Sequence, residues 1–209
     1  MKLKILKYTI AFIILSGIVF LGVYLMKRII ENQESQKQII SNHTPAIGQP
    51  IDSINGVFVF YNGNVGHIEG RNLTRDGYNL GLKYQCIEFV KRYYFQHLNH
   101  KMPDSYGHAK DFFDKTLMDG QYNRIRDLTQ YINASRSKPQ INDLVVFGAT
   151  ISNGFGHVAI ISNVDSENIE IIQQNPGPMG KSRVTFPLEK TNGKWEIKNH
   201  NILGWLRKE

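Results

Sequence analysis

Cysteine is nearly absent from this chain, which has a single one, Cys86, among its 209 residues. A lone cysteine cannot form an internal disulfide, and it has no second thiol for a cysteine-rich metal site or a two-cysteine redox centre. Two interpretations remain, a small core residue and a reactive thiol. Cys86 stands at the predicted start of a helix, where unpaired N–H groups and the helix dipole favour the thiolate.

Internal repeats and low-complexity tracts are also missing, which excludes a solenoid or a fibre. A chain of 209 residues with 41% hydrophobic content is long enough for one domain with a core and one appendage. The net charge is +7, and the first 45 residues hold six Lys or Arg against two Glu. The remainder is only mildly basic and shows no concentrated basic face with stacking aromatics, so we expect no nucleic-acid partner.

Charge is absent from Tyr8 to Met26, a mostly aliphatic run that is long enough to cross a bilayer as a helix. We interpret residues 1–28 as a transmembrane signal-anchor, since the run ends without a small-residue cleavage site; a cleaved signal is the alternative. The lysines before the run slightly favour a single-pass protein with its N-terminus inside and its domain outside the cytoplasm. Residues 29–50 then form a polar stalk and residues 51–209 the domain.

The pattern of apolar residues predicts helices followed by strands in this domain, and therefore an α+β fold with an antiparallel sheet. The predicted helices are Tyr84–Leu98, Tyr106–Met118 and a shorter piece, Leu128–Ile132. The predicted strands are Asp143–Phe147, His157–Val164, Asn168–Gln174, Ser182–Pro187, Trp195–Lys198 and Ile202–Leu206.

His157 is the best of the seven histidines as a partner for Cys86. It follows a glycine-containing turn and opens a strongly strand-forming run, so we expect its ring to have a fixed orientation. The alternative is that His157 has a purely structural role. The other six histidines lie in polar or loop-like contexts. Together Cys86 and His157 indicate a thiol nucleophile with its base. The uncapped N–H groups at the helix start are suited to bind an oxyanion, and Gln85 is a further candidate donor.

Five segments carry a family pattern: Leu80–Arg92, Asp143–Phe147, Gly156–Ile161, Gln174–Asn175 and Ile202–Trp205. In the same order over most of residues 51–209, they resemble the CHAP family of cysteine, histidine-dependent amidohydrolases and peptidases. The glutathionylspermidine amidase domain is the branch that they resemble most. The resemblance implies a papain-like fold with N-terminal helices packed on an antiparallel sheet, and hydrolysis of an amide through a thioester. It also implies that Cys86 is the nucleophile, that His157 is the general base and acid, and that no metal or cofactor is needed.

The third position of the family pattern departs from the usual residue. The family normally has Glu there to orient the histidine, with Asn two positions beyond, whereas this chain has Gln173 and Asn175. A carboxamide can accept the ring N–H but carries no charge, so we expect a weaker ion pair and slower acylation. Asn175 is the alternative partner of the imidazole.

Three functions stay open at this point. The first is a membrane-anchored amidase or endopeptidase acting on peptidoglycan peptides, held to the membrane by residues 8–26. The second is an amidase for glutathionylspermidine or a related conjugate. The third is a catalytically weakened wall-binding module, because the acid at residue 173 is missing. The sequence does not determine the oligomeric state.

Overall fold

The computed structural model describes residues 16–33, 44–103, 107–177 and 180–209. The chain divides into two compact units, Met1–Thr44 and Pro45–Glu209. In the first unit, residues 16–33 form helix α1. Residues 8–15 of the predicted membrane span lie outside the described residues. Within the part of the chain that is described, no helix combines the length and the apolar character needed to cross a bilayer.

The second unit contains one longer helix, one short 3-10 helix and twelve strands among its described residues. The helix α2 spans Cys86–Gln96, and the 3-10 helix spans Ala109–Phe112. The strands are β1 (Pro50–Ile54), β2 (Val57–Phe60), β3 (Arg71–Leu73), β4 (Asn79–Leu82), β5 (Gln121–Asn123), β6 (Leu128–Ile132), β7 (Leu144–Phe147), β8 (His157–Val164), β9 (Asn168–Ile172), β10 (Arg183–Thr191), β11 (Lys194–Ile197) and β12 (Ile202–Arg207).

Eight of these strands form one sheet in the order β11-β10-β9-β8-β7-β12-β6-β5. Every neighbouring pair in it is antiparallel. The pairs β1-β2 and β3-β4 form two small antiparallel sheets beside it. The expected mixture of helix and antiparallel sheet is confirmed, and the central strands β8 and β9 place His157 and Gln173 on adjacent parts of the sheet.

Strict alternation of side chains divides the core between the two faces of the sheet. On one face, Val158 and Ile160 pack in a cluster with Phe89 and Val90 of α2, and all four are fully buried. On the other face, a second buried cluster includes Ala159, Ile161, Ile171 and Trp205. Helix α2 therefore lies against the β8 side of the sheet, which brings its first residue, Cys86, towards the start of β8.

Two predicted helices are wrong. Leu128–Ile132 is strand β6, which pairs with β12 through the core of the sheet. Its central Gln130 is fully buried, and its side chain donates to the Asp114 carbonyl and accepts the Asp114 N–H. Within Tyr106–Met118, only the 3-10 turn Ala109–Phe112 is helical among the described residues. The first half of the domain also holds strands β1 to β5, where only helix and loop were expected.

Candidate active site

Cys86 is the first residue of α2 and stands where the chain turns sharply into the helix. Gln85 before it is extended and makes no side-chain cap, as the sequence predicts. Tyr84 has a left-handed backbone (φ 64°), which is unusual for a residue other than glycine and redirects the chain at this turn. The backbone N–H groups of Cys86 and Ile87 act to lower the pKa of the Cys86 thiol. The thiol therefore sits at the positive end of the helix.

Cys86 and His157 line one cavity of about 500 Å³. Each of them is half-buried, so part of its surface stays open to a substrate. Cys86 packs against the buried cluster that contains Val158, the residue after His157, which places α2 beside the start of β8. The structure thus brings the predicted nucleophile and the predicted base together in an accessible cleft.

A hydrogen-bond chain fixes the orientation of the His157 ring. His157 Nε2 lies 2.9 Å from Gln173 Oε1, and Gln173 Nε2 donates to the Lys181 carbonyl oxygen over 2.9 Å. Because a carbonyl only accepts, the Gln173 amide nitrogen must face Lys181, so its oxygen must face the ring. His157 Nε2 is then the protonated nitrogen, and Nδ1 carries the lone pair that a base needs.

Burial keeps the cysteine and the histidine neutral. It raises the pKa of the Cys86 thiol from 9.0 to about 11, although the N–H groups of Val158, Ile87 and Cys86 act in the opposite direction. Burial also lowers the pKa of His157 from 6.5 to about 4, against the effect of the Gln173 hydrogen bond. The expected lowering of the thiol pKa is wrong for this state, because the loss of solvation outweighs the helix N-terminus.

The CHAP family model matches residues 76–175, which contain all four predicted site residues. This region of the chain is a CHAP domain. CHAP domains are typically amidohydrolases or peptidases. Among the described residues, no group of three or more His, Cys, Asp or Glu side chains is arranged to hold a metal ion.

Known proteins that resemble the chain include the bifunctional glutathionylspermidine synthetase/amidase of Escherichia coli (strain K12). It is 30% identical over 149 residues, which cover 65% of this chain and 23% of that protein. The glutathionylspermidine synthase of Crithidia fasciculata is 27% identical over 136 residues, which cover 61% of this chain and 19% of that protein. The chain thus spans less than a quarter of the length of these curated relatives.

Among solved structures, the crystal structure of a wild type endolysin, LysIME-EF1, is 18% identical to the chain. It has a TM-score of 0.37 and covers 68% of this chain and 60% of the endolysin chain.

Gln85, predicted as an oxyanion donor, and Asn175, predicted as the alternative partner of the imidazole, bond to each other and to the loop that lines the cavity. The Gln85 Nε2 group donates to the carbonyls of Val65 and His67, at 3.2 and 2.9 Å. Asn175 Nδ2 donates to Gln85 Oε1 and to the Val65 carbonyl, at 2.7 and 3.0 Å. The Gln85 amide protons are therefore used by the loop, so Gln85 is a poor oxyanion donor. The alternative role of Asn175 as the partner of His157 is replaced by the Gln173 contact.

Gln174 joins the end of β9 to the first turn of α2, which the sequence analysis did not predict. It is fully buried, and its Nε2 group donates to the Gln85 carbonyl (3.0 Å) and to Glu88 Oε2 (2.9 Å). Its Oε1 accepts the Phe60 N–H at 2.7 Å. Glu88 is also ion-paired with Arg92 at 2.6 Å inside the protein. The sequence places Gln174 at the end of a predicted strand and in a segment that resembles the family, but neither feature indicates that its side chain links the two halves of the site.

Proposed function

We propose that this protein is a cysteine amidohydrolase in which Cys86 is the nucleophile and His157 the general base and acid. The observation that carries the proposal is the shared cavity of Cys86 and His157, combined with the Gln173 contact that reserves His157 Nδ1 as the basic nitrogen. A helix-borne thiol beside a sheet-borne imidazole is the papain-like arrangement. Because Cys86 and His157 are both neutral at rest, the thiol proton moves to the imidazole during the attack on the substrate rather than before it.

In the proposed reaction, the Cys86 sulfur bonds to the amide carbonyl carbon while His157 Nδ1 takes the thiol proton. The N–H groups of Cys86 and Ile87, at the start of α2 where no side chain caps the helix, would stabilise the resulting oxyanion. The carbon–nitrogen bond then breaks, and Nδ1 delivers its proton to the leaving amine, which leaves a thioester on Cys86. Water attacks the thioester and gives a proton to Nδ1. The carbon–sulfur bond breaks, releasing a carboxylic acid, and the thiol regains its proton.

For the substrate, we propose an amide in peptidoglycan peptides, cleaved by a domain of residues 51–209 that a stalk of residues 29–50 holds outside the membrane. The uncharged run Tyr8–Met26, with basic residues on both sides, supports an anchor with its N-terminus inside. The alternative substrate is a glutathionylspermidine-type amide, which the 30% identity to the synthetase/amidase of E. coli favours. A reporter fused after Glu209 separates the two, since a cytoplasmic reporter favours the conjugate.

Purified full-length protein is incubated with peptidoglycan fragments and with glutathionylspermidine, and the released amines are quantified. Hydrolysis should be abolished by Cys86→Ala and His157→Gln and kept by His200→Gln, whose exposed ring lies outside the Cys86 cavity. A thioester on Cys86 should be detectable by mass spectrometry after rapid acid quench. If the wild type hydrolyses neither substrate, and its Cys86 reacts with iodoacetamide no faster than a free thiol, the result favours the third function, a catalytically weakened wall-binding module.

A further inference from the structure

The segment that orients Gln173 lies just before strand β10. Gln173 Nε2 donates to the Lys181 carbonyl oxygen over 2.9 Å, and the Gln173 N–H donates to the Ser182 carbonyl oxygen over 2.8 Å. The strand itself begins only at Arg183. Because Lys181 and Ser182 precede the first residue of β10, contacts beyond the regular ladder of the sheet are needed to hold them in place.

Asp52 of strand β1 supplies such contacts from outside the main sheet. Its Oδ2 accepts the Ser182 hydroxyl at 2.7 Å and Arg183 Nε at 3.0 Å. Its Oδ1 accepts Arg183 Nη2 at 3.2 Å and the Ser53 N–H at 2.7 Å. Asp52 also pairs with Val59 of β2, and its side chain is only 19% exposed. The carboxylate is therefore fixed on a paired strand and grips the two residues that follow Lys181.

We infer that Asp52 is a positioning residue that keeps the Lys181 carbonyl in place and thereby orients His157. The inference rests on the proposed function and adds a residue to the support of its base. The Lys181 carbonyl determines which end of the Gln173 carboxamide faces the ring, so displacing this carbonyl frees the carboxamide to rotate. A rotated carboxamide presents its NH₂ group to His157 Nε2, which must then accept, while Nδ1 carries the proton. Nδ1 in that state cannot take the thiol proton.

Glu170 provides a matched control, because it shares Arg183 with Asp52. Glu170 Oε1 accepts Arg183 Nη1 at 2.8 Å and the Ser162 hydroxyl at 2.7 Å. Glu170→Ala therefore deletes an ion pair of the same arginine but leaves the bond between Asp52 and Ser182 in place. A general effect of lost charge pairing should appear in both Asp52→Ala and Glu170→Ala, whereas a positioning effect should appear in Asp52→Ala and not in Glu170→Ala.

The test combines nitrogen NMR of ¹⁵N-histidine-labelled protein at pH 7 with steady-state kinetics. The NMR signals, assigned with His157→Gln, report which nitrogen of the His157 ring carries the proton, and the wild type should carry it on Nε2. Asp52→Ala should shift the tautomer ratio towards Nδ1 about fivefold and lower kcat about fivefold at unchanged KM, because one hydrogen bond contributes about that factor. Ser182→Ala, which keeps the ion pair with Arg183, should act in the same direction and add little to Asp52→Ala.

An unchanged His157 tautomer in folded Asp52→Ala, or an equal shift in Glu170→Ala, overturns the positioning role and leaves the hydrolase proposal intact. If Asp52→Ala does not fold, Ser182→Ala decides in the same way. If the wild type hydrolyses neither peptidoglycan fragments nor glutathionylspermidine, the hydrolase proposal fails for these substrates, and the tautomer comparison still decides about Asp52. A wild-type ring protonated on Nδ1 also overturns the inference.

Discussion

Replacing Gln173 by Glu places a negative charge where Gln173 Oε1 now lies, 2.9 Å from His157 Nε2. An opposite charge at this range favours the protonated ring and raises its pKa by about 1 to 3 units, which corresponds to about 1.4 to 4 kcal/mol of imidazolium stabilisation. The burial that now lowers the His157 pKa to about 4 would be offset in part. The thiolate–imidazolium pair becomes easier to form, and Cys86 becomes more reactive.

The same substitution has an opposing cost that follows from the Lys181 carbonyl. Gln173 is 6% exposed and donates to that carbonyl over 2.9 Å, whereas a carboxylate has no proton to donate. Two buried oxygens would then face each other, and the loss of a satisfied buried acceptor costs about 1 to 3 kcal/mol of folding stability. Gln173→Glu should therefore be more reactive and less stable than the wild type.

Alkylation of Cys86 by iodoacetamide at pH 7 measures the reactivity, urea unfolding measures the stability, and histidine NMR measures the His157 pKa. We expect at least tenfold faster alkylation in Gln173→Glu, from the pKa rise of one unit or more. Gln121→Glu is the control for added charge, because Gln121 is exposed and does not line the cavity. Slower alkylation in folded Gln173→Glu, or an unchanged His157 pKa, would refute the assigned role of residue 173.

Three further outcomes are expected. Because the folded-state pKa of His157 is about 4 against 6.5 for the free ring, the unfolded chain binds a proton first as the pH falls. Between pH 6.5 and 4, the free energy of unfolding of the wild type should therefore fall by up to about 3 kcal/mol more than that of His157→Gln. Urea unfolding at a series of pH values measures this difference, and parallel pH profiles of the two proteins would contradict it. Gln174→Leu removes hydrogen-bond partners of the buried Glu88 carboxylate and of the Phe60 N–H. The variant should therefore lose about 2 to 5 kcal/mol of unfolding free energy, and its Cys86 should be alkylated more slowly. Wild-type values in both assays would rule out the linking role of Gln174. Gly156→Ala should lower the thermal midpoint and the hydrolysis rate. Gly156 has φ +73°, and a Cβ there would lie 2.6 Å from the Phe147 carbonyl oxygen. Unchanged values of both quantities would show that the turn before His157 tolerates the methyl group.

The sequence predicts the second half of the domain well, because strands such as β8 and β9 are rich in β-branched residues and separated by clear turns. It predicts the first half poorly. Strands of three residues, such as β3 and β5, are too short to show a period of two. Leu128–Ile132 carries a glutamine in the middle, and only the surrounding Asp114 and Asn123 groups explain why it is buried.

In the site, Cys86 and His157 can be predicted because a helix start and a strand start each leave a local signature. Gln173 follows from the family resemblance, but its orientation does not, since it is set by the backbone of Lys181 in the turn that leads into β10. The pKa of Cys86 was predicted in the wrong direction, because desolvation depends on residues from β8 that pack over the thiol. Gln174 shows the same limit, as its partners lie far away along the chain.

The two halves of the catalytic pair depend on different parts of the fold. His157 opens β8 and Gln173 directly follows β9, the neighbouring strand, whereas Cys86 lies on α2, which is joined to the end of β9 by the side chain of Gln174. A fluctuation that detaches only the helix would carry away the sulfur and leave the imidazole with its orienting amide. Inactivation on warming should then precede the melting of the sheet, and amide hydrogen exchange in α2 should follow the loss of activity rather than global unfolding.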